Sequence, residues 1–181
     1  MNEYNNVLEY CLNNKILNKL KKILITGGCG FLGTNLIDIL LKKKVKILNL
    51  DKVSYSSNKK YQKNYKNYQF KKIDISKVSY KKIKDILKKF KPTHILNLAA
   101  ESHVDRSIHS IGIFIENNII GTLNLLNALK DYKLKKNVNF IHVGTDEIYG
   151  DLKNKNAKFK ATSPIDPKNP YSATKASAIH I

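Results

Sequence analysis

Short apolar runs of strand length alternate along the chain with stretches whose apolar residues recur at helical spacing. The apolar runs span residues 23–26, 45–50, 70–73, 94–98 and 138–143. Helical spacing occurs in three segments. The first is residues 31–43, and the last is residues 111–132. The middle segment holds Ile83, Ile86, Leu87 and Phe90 and ends at Pro92. Near-continuous apolar strands that alternate with helices are typical of a parallel sheet covered on both faces. The pattern therefore predicts an α/β fold with a doubly wound parallel sheet.

Two further segments fall outside this alternation. Residues 1–20 hold leucine, isoleucine and valine at near-helical spacing, which predicts an amphipathic helical extension ahead of the first strand. Residues 52–69 are polar and rich in tyrosine, which is typical of a long loop. A chain of 181 residues with 42% hydrophobic content can bury one sizeable core, so we predict that residues 21–181 form a single domain.

Three glycines, Gly27, Gly30 and Gly33, follow the first predicted strand and open the first predicted helix. In a dinucleotide-binding turn the first glycine permits the turn, the second lets the backbone approach a pyrophosphate, and the third lets the helix pack closely on the strand. The helix N-terminus adds free N–H groups and about half a unit of positive charge. A glycine triplet alone also fits an ordinary turn, but its position between a buried strand and a helix predicts a Rossmann-type NAD-binding domain.

An acidic residue, Asp51, ends the second predicted strand about twenty positions beyond the glycines. A carboxylate at this place accepts hydrogen bonds from the ribose of adenosine and repels a 2′-phosphate. The sequence therefore favours NAD over NADP as the cofactor.

Other polar residues that stand out also follow predicted strands directly. They are Asp74, residues 100–103 and residues 145–147. In doubly wound sheets ligands bind beyond the carboxyl ends of the strands, so we expect these residues to surround the site.

The charge balance is strongly basic, with a formal net charge of +19, yet Arg106 is the only arginine. Specific recognition of bases and phosphates depends on arginine, and the lysines are scattered, so we predict no specific nucleic-acid partner. The two cysteines, Cys11 and Cys29, make no disulfide framework and indicate a cytoplasmic location. No apolar run is long enough to cross a bilayer, so no membrane partner is expected, and the histidines lack metal-ligand spacing.

A tyrosine and a lysine, Tyr171 and Lys175, stand four residues apart and therefore share one face of a helix. A free phenol titrates near ~10, so action as a base near neutral pH requires its pKa to fall by about three units, or roughly 4 kcal/mol. We expect the neighbouring ammonium and a positively charged nicotinamide to supply this lowering together.

Residues 98–108, 144–150 and 169–177 carry a specific resemblance when they are taken together with the glycine turn. The Tyr-x-x-x-Lys pair resembles that of the extended short-chain dehydrogenases/reductases, and the three blocks resemble the nucleotide-sugar 4,6-dehydratases within that branch, above all the enzymes of the dTDP-glucose type. The resemblance runs from about residue 21 to residue 181. It implies a dinucleotide-binding domain truncated before the C-terminal substrate domain, and little turnover by this chain alone.

The resemblance implies a division of chemistry among four groups. Tyr171 takes the proton of the sugar 4-hydroxyl, Glu147 removes the C5 proton as general base, and Asp146 protonates the leaving 6-hydroxyl as general acid. Asp146 must then stay protonated, which requires a crowded apolar setting. Neighbouring residues of a strand point to opposite faces, so both carboxyls reach one sugar only if the strand has ended by Thr145, which is implied to bind the 4-hydroxyl.

The implied site residues fall into two further sets. Cofactor-binding residues are Gly27, Gly30, Phe31, Leu32, Gly33, Asp51, Lys52, Ser54, Asp74, Ile75, Ala99, Ala100, Tyr171 and Lys175. Substrate-binding residues are Ser102 and Thr145. The family's homodimer is implied as well, and it uses the helices that follow the fourth and fifth strands.

The sequence departs from the family pattern at two positions, where Gly144 replaces a serine and Asn117 replaces a threonine. Several functions stay open at this point. A UDP-sugar 4,6-dehydratase, a 4-epimerase or a decarboxylase shares the cofactor site, although an epimerase needs no acid and base pair for elimination of water. A non-catalytic NAD-binding module is the alternative from another class.

Overall fold

The computed structural model describes residues 21–133, 137–152, 154 and 156–181. Five strands form one sheet in the order β3-β2-β1-β4-β5, and every neighbouring pair is parallel. The strands are β1 (Lys22–Thr26), β2 (Lys46–Asp51), β3 (Tyr68–Lys72), β4 (His94–Asn97) and β5 (Asn139–His142). The predicted doubly wound parallel sheet is therefore confirmed. The predicted helical extension over residues 1–20 lies outside the described residues.

Six α-helices in the described part of the chain connect or follow these strands. They are α1 (Phe31–Lys42), α2 (Tyr80–Phe90), α3 (Val104–His109), α4 (Ile111–Phe114), α5 (Gly121–Lys133) and α6 (Pro170–His180). Short 3-10 helices occupy Lys59–Tyr61 and Asp146–Tyr149. The single helix predicted over residues 111–132 is instead α4 and α5 joined by a π-helix, Ile115–Ile120. A hydrophobic pattern does not reveal a π segment, because one wide turn barely changes the spacing of its apolar residues.

The core lies in two layers on opposite faces of the sheet. Alternate residues of β2 illustrate the division, since Ile47 packs in the layer that contains α1 while Leu48 packs in the layer that contains α2 and α5. Burial on both faces explains why the inner strands are apolar without interruption. The edge strand β3 is different: Lys71 and Lys72 are exposed, and the strand begins two residues before the predicted run at residues 70–73.

The strand order reverses at β1, because successive strands are added first on one side of β1 and then on the other. From β1 the sheet extends through β2 to β3 on one side, and through β4 to β5 on the other. Loops that leave the carboxyl ends of β1 and β4 therefore separate and leave a crevice, which is where ligands of doubly wound sheets bind.

Candidate active site

A cavity of about 490 Å³ occupies this crevice. Its wall includes all fourteen residues predicted to bind the cofactor, together with the predicted substrate residue Ser102. Thr145, Asp146 and Glu147 do not line the cavity, but Gly144, which precedes them, does. The structure thus brings the predicted cofactor residues to one wall and leaves the acid pair just beyond one end of it.

The glycine turn is shaped by contacts that exclude side chains. Gly27 has a φ of 71°, and a Cβ added to it would lie 2.7 Å from the backbone of Ala99. A Cβ on Gly33 would lie 2.5 Å from Cα of Gly28, because the first turn of α1 passes directly over the turn. Both positions require glycine for steric reasons, and the result is a helix N-terminus aimed into the cavity.

A buried amide, Asn49 of β2, holds the turn in place, and the sequence analysis did not single it out. Its Oδ1 accepts a hydrogen bond from the N–H of Gly28 at 2.9 Å, and its Nδ2 donates to the hydroxyl of Tyr68 at 2.9 Å. Asn49 is 0% exposed. An asparagine inside an otherwise apolar run was the available signal, because a buried amide needs partners.

The carboxylate of Asp51 is fixed by two backbone N–H groups. Cys29 donates to its Oδ2 at 2.8 Å, and Val53 donates to its Oδ1 at 2.7 Å. Asp51 therefore ties the glycine turn to the loop that follows β2. Burial and the nearby Asp51 charge raise the pKa of the Cys29 thiol to about 12, so this thiol is a neutral filler of the turn at ordinary pH.

The residues at this end of the cavity fit a dinucleotide. The first residues of α1 include no acidic side chain, and its N-cap residue, Gly30, makes no side-chain capping bond, so the positive end of the helix is left for an anionic ligand. A carboxylate with unused lone pairs stands at the end of β2, where a ribose would need an acceptor.

The rim beside Asp51 carries an ion pair. Nζ of Lys52 lies 2.6 Å from Oε1 of Glu101, which follows β4, and also donates to Oδ1 of Asn117 at 2.9 Å. The backbone of Glu101 is held on both sides by Asn118, which accepts from its N–H at 2.8 Å and donates to its carbonyl at 3.0 Å. Asn118 also donates to Thr174 at 3.0 Å, so the rim is joined to α6.

Helix α6 begins with a capping box and carries the Tyr-x-x-x-Lys pair. The side chain of Asn169 accepts from the N–H of Ser172, and the Ser172 hydroxyl accepts from the N–H of Asn169. Pro170 follows the cap, where its missing N–H costs no hydrogen bond. Tyr171 and Lys175 are 8% and 4% exposed, and both face the cavity.

The ammonium of Lys175 donates to the carbonyl oxygen of Val143 at 2.6 Å. Burial lowers the pKa of Lys175 to about 8, because a charged amine loses its hydration in this position. The lysine is therefore poised between its two protonation states close to neutral pH.

The lowering of the Tyr171 pKa expected with a bound nicotinamide stays a prediction, and the phenol's surroundings within this chain act in the opposite direction. Burial raises the pKa of Tyr171, and the carboxylates of Glu147 and Asp146 raise it further, while a hydrogen bond with Thr145 acts in the opposite direction. The ammonium of Lys175 is not among the causes of the shift. The phenol is thus close to the acid pair, but its own surroundings keep it protonated.

The acid pair follows a strand that has already ended. After β5 the chain turns, and Thr145 caps the 3-10 helix Asp146–Tyr149 by accepting from the N–H of Glu147 at 3.4 Å. The condition that the strand has ended by Thr145 is therefore met, since β5 ends at His142. Glu147 is half-buried and accepts from Nδ2 of Asn169 at 3.1 Å, so it is tied to the start of α6.

The crowded apolar setting expected around Asp146 is absent from the described residues, because this side chain is exposed. Solvent therefore reaches this carboxyl in the described chain.

His142, at the end of β5, is a neutral buried imidazole near Lys175. Burial, and to a smaller extent the charge of Lys175, lower its pKa to about 4. Its Nδ1 lies 3.0 Å from Nδ2 of Asn97, and its Nε2 is buried without a hydrogen-bond partner among the described residues. No role was predicted for it.

Within the described ranges no group of three or more possible ligands could hold a metal ion, and none of the helices is long and apolar enough to span a membrane.

Comparisons with known proteins agree with this architecture. The chain is 38% identical over 172 residues to the dTDP-glucose 4,6-dehydratase of Haemophilus influenzae, covering 90% of this chain and 50% of the relative. Among solved structures, the dTDP-glucose 4,6-dehydratase of Bacillus anthracis in complex with NAD is 34% identical, with a TM-score of 0.73 and coverage of 88% and 48%. The UDP-glucose 4-epimerase of Thermus thermophilus in complex with NAD is 28% identical, with a TM-score of 0.75 and coverage of 88% and 49%.

Fold and crevice together define a Rossmann-type α/β protein, as the sequence predicted. The family described as GDP-mannose 4,6 dehydratase matches residues 24–181, and the chain belongs to this family. The chain spans about half the length of the relatives it matches. Dehydratases and an epimerase superpose on it about equally well, so the fold alone does not separate those activities.

Proposed function

We propose that the chain is the NAD-binding part of a nucleotide-sugar 4,6-dehydratase that converts dTDP-glucose to dTDP-4-keto-6-deoxyglucose and water. NAD is the proposed cofactor, because the glycine turn, the uncapped start of α1 and Asp51 fit a dinucleotide without a 2′-phosphate. The nucleotide sugar is the proposed substrate, because the Haemophilus influenzae and Bacillus anthracis relatives bear that name.

One observation carries the choice of a dehydratase: the acid pair, just beyond the end of the cavity, lies close enough to the phenol of Tyr171 for its charges to act on that phenol. Thr145 forms a hydrogen bond with Tyr171, and the charges of Glu147 and Asp146 both act on the phenol. Elimination of water needs a base and an acid at neighbouring sugar carbons, and the two consecutive carboxyls supply both. An epimerase or a decarboxylase has no need of such a pair.

The proposed mechanism assigns one proton to each group. NAD, held by the glycine turn and Asp51, would supply hydride transfer from C4 of the sugar and back to C6. Tyr171 removes the proton of the 4-hydroxyl, with Thr145 orienting that hydroxyl. Glu147 removes the C5 proton, which the adjacent ketone makes acidic, and Asp146 gives a proton to the leaving 6-hydroxyl. Lys175 holds the ribose of the nicotinamide and carries positive charge next to Tyr171 below a pH of about 8.

The raised pKa of Tyr171 shows which contribution the cofactor must make. Burial favours the neutral phenol, so a base at neutral pH requires a further positive charge in the cavity. A bound nicotinamide cation supplies that charge, and so we propose that Tyr171 becomes a competent base only after the cofactor is bound.

A sugar-conversion assay tests the proposed activity. The chain is incubated at high concentration with NAD and dTDP-glucose, and the sugar is examined by mass spectrometry for loss of one water. We expect slow conversion by the wild-type chain and none by Glu147→Gln. Conversion of UDP-glucose to an isomer of unchanged mass would support an epimerase. NAD binding without conversion of either sugar would support a non-catalytic module.

We further propose a homodimer in the cytoplasm. The helices after β4 expose several isoleucines, and Ile108, Ile111 and Ile115 are 64%, 49% and 41% exposed. Exposed apolar side chains that lie close together favour contact with another chain. The buried free thiol of Cys29 is compatible with a reducing compartment. Sedimentation of the wild-type chain and of Ile111→Glu tests the dimer.

A further inference from the structure

The rim beside Asp51 carries two cations that share one carboxylate, Glu101. Nζ of Lys52 lies 2.6 Å from Oε1 of Glu101, and Nη1 of Arg106 lies 3.8 Å from Oε2. The side chain of Glu101 is 11% exposed, against 31% for Lys52 and 42% for Arg106. Glu101 is therefore the most buried member of the cluster and forms an ion pair with each cation.

The position of Lys52 makes this arrangement relevant to cofactor choice. Lys52 follows Asp51 at the end of β2, where the ribose of adenosine binds in a doubly wound sheet. A cation at that place is what a 2′-phosphate needs, and a free lysine next to Asp51 would offset the repulsion that Asp51 exerts. In this structure the ammonium is instead drawn to Glu101 and to Oδ1 of Asn117.

Arg106 is the second partner of Glu101, but unlike Lys52 it does not line the cavity. Its guanidinium lies 4.6 Å from the ring centroid of Tyr55, a residue of the loop after β2 that does line the cavity. The ring contact and the ion pair with Glu101 together hold the guanidinium. Lys52 is therefore the cation of this cluster that faces the cavity, and without the charge of Glu101 its ammonium would face the adenosine end unpaired with a carboxylate.

We propose that Glu101 is a positioning residue for cofactor specificity: by binding Lys52 it denies this cation to a 2′-phosphate, and so maintains the preference for NAD over NADP. The inference rests on the proposed NAD site and extends it beyond Asp51. Sequence reasoning gave Glu101 no role, since the contact joins residues 49 positions apart.

The test compares two affinities on one protein sample. Dissociation constants for NAD and NADP are measured by calorimetry with the 181-residue chain and with Glu101→Gln. The substitution keeps the shape of the side chain, and the Asn118 bonds are retained because they involve only the backbone of Glu101. We expect the ratio of the NADP constant to the NAD constant to fall about ten-fold, because a freed ammonium attracts the additional phosphate. A loss of folded protein lowers the binding stoichiometry but leaves this ratio unchanged.

Asp105→Asn is the matched control. It removes one negative charge from the same segment, but Asp105 is exposed and its side chain makes no ion pair with another described residue. We expect its ratio to stay within about two-fold of the wild-type ratio, since an exposed charge is screened by solvent. A ten-fold change in the control as well would assign the effect to net charge and overturn the inference.

A double variant identifies the cation that responds. Glu101→Gln combined with Lys52→Met should return the ratio to within about three-fold of wild type. A gain in NADP affinity that survives loss of Lys52, or equal weakening of both cofactors by Glu101→Gln, overturns the inference while the NAD site stands. A wild-type chain that binds no NAD overturns the proposed function and this inference together.

Discussion

Two sides of the cavity are built in different ways. The turn side consists of residues 27–33 and the end of β2, and the acid-pair side consists of β5 and residues 143–149. On the turn side the polar groups Thr26, Asn49 and Asp51 are at most 5% exposed, and each has hydrogen-bond partners. On the acid-pair side β5 contains no fully buried residue, and Asp146 is exposed.

The difference shows which side of the cavity is held in place by contacts within this chain. Backbone N–H groups held by buried acceptors fix the turn side, and such bonds are costly to break because the freed groups stay buried. On the acid-pair side single side-chain contacts position Thr145 and Glu147, and solvent reaches the carboxyls. We expect the turn side to be preformed, and we expect the acid-pair side to need further surroundings before its carboxyls can divide into an acid and a base.

The largest effect should follow from a side chain inside the glycine turn. In Gly33→Ala the new Cβ meets the backbone of Gly28 at 2.5 Å, so the turn must open. We expect NAD affinity to fall at least about a hundred-fold and the free energy of unfolding to fall by about 3 kcal/mol. Gly112→Ala is the control, because its Cβ meets nothing within 4 Å, and alanine in a helix should leave stability unchanged or raise it by up to about 1 kcal/mol. Tight NAD binding by Gly33→Ala would contradict a preformed turn.

The next effect concerns the buried ammonium between the two sides. The pKa of Lys175 is about 8 in the folded chain, below its ordinary value of 10.5, so between these two pH values the unfolded chain holds the additional proton. Stability due to this group therefore rises with pH across that window, and the penalty of burial is fully present below pH 8. In Lys175→Met the penalty is absent. We expect the stability advantage of this variant to shrink by up to about 3 kcal/mol from pH 7.5 to pH 10.5, measured by urea unfolding.

The raised pKa values of Tyr61, Tyr68 and Tyr171 lower stability at high pH in both proteins. For that reason the difference between wild type and variant, rather than either curve alone, isolates Lys175. A difference that is constant with pH would mean that the ammonium is hydrated.

A substitution of Asn49, beneath the turn, should separate the contribution of its hydrogen bonds to stability from the contribution of its packing. Asn49→Leu removes the acceptor for the Gly28 N–H and the donor to Tyr68 while keeping a similar volume. We expect a loss of about 2–3 kcal/mol in the free energy of unfolding, since buried partners are left unsatisfied. Asn35→Leu is the control, because its hydrogen bond to the carbonyl of Phe31 is exposed, and we expect it to change stability by less than about 0.5 kcal/mol. Equal losses in both variants would remove the special role of Asn49.

The smallest effect belongs to the acid-pair side. The pKa of His142 falls from 6.5 to about 4 on folding, so the unfolded chain binds the proton first as the pH falls. Stability is therefore lost between pH 6.5 and pH 4, and His142→Gln should flatten this loss by about 2 kcal/mol. Urea unfolding of both proteins at pH 4.5 and pH 7 measures it. If the free energy of unfolding fell equally with pH in both proteins, the imidazole would be hydrated in the folded chain.

The amino-acid pattern predicts the sheet because each inner strand is apolar on both faces and is followed by a helix. It also predicts the cofactor wall, because the turn, the end of β2 and the end of β4 meet wherever a parallel sheet reverses its order. Asn49 and Glu101 stand out in the sequence as polar residues, but their roles do not, because partners such as Gly28 and Lys52 are 21 and 49 positions away in the sequence. The raised pKa of Tyr171 in this chain was not foreseen, because burial depends on packing that the spacing of two residues does not contain.

A titration of NAD into the 181-residue chain tests most directly whether the turn side is complete. Calorimetry should show saturable binding of one NAD per chain, with a dissociation constant that Glu147→Gln leaves unchanged within about two-fold, since that substitution lies on the acid-pair side. No saturable binding, or binding that is lost in Glu147→Gln, would contradict the account.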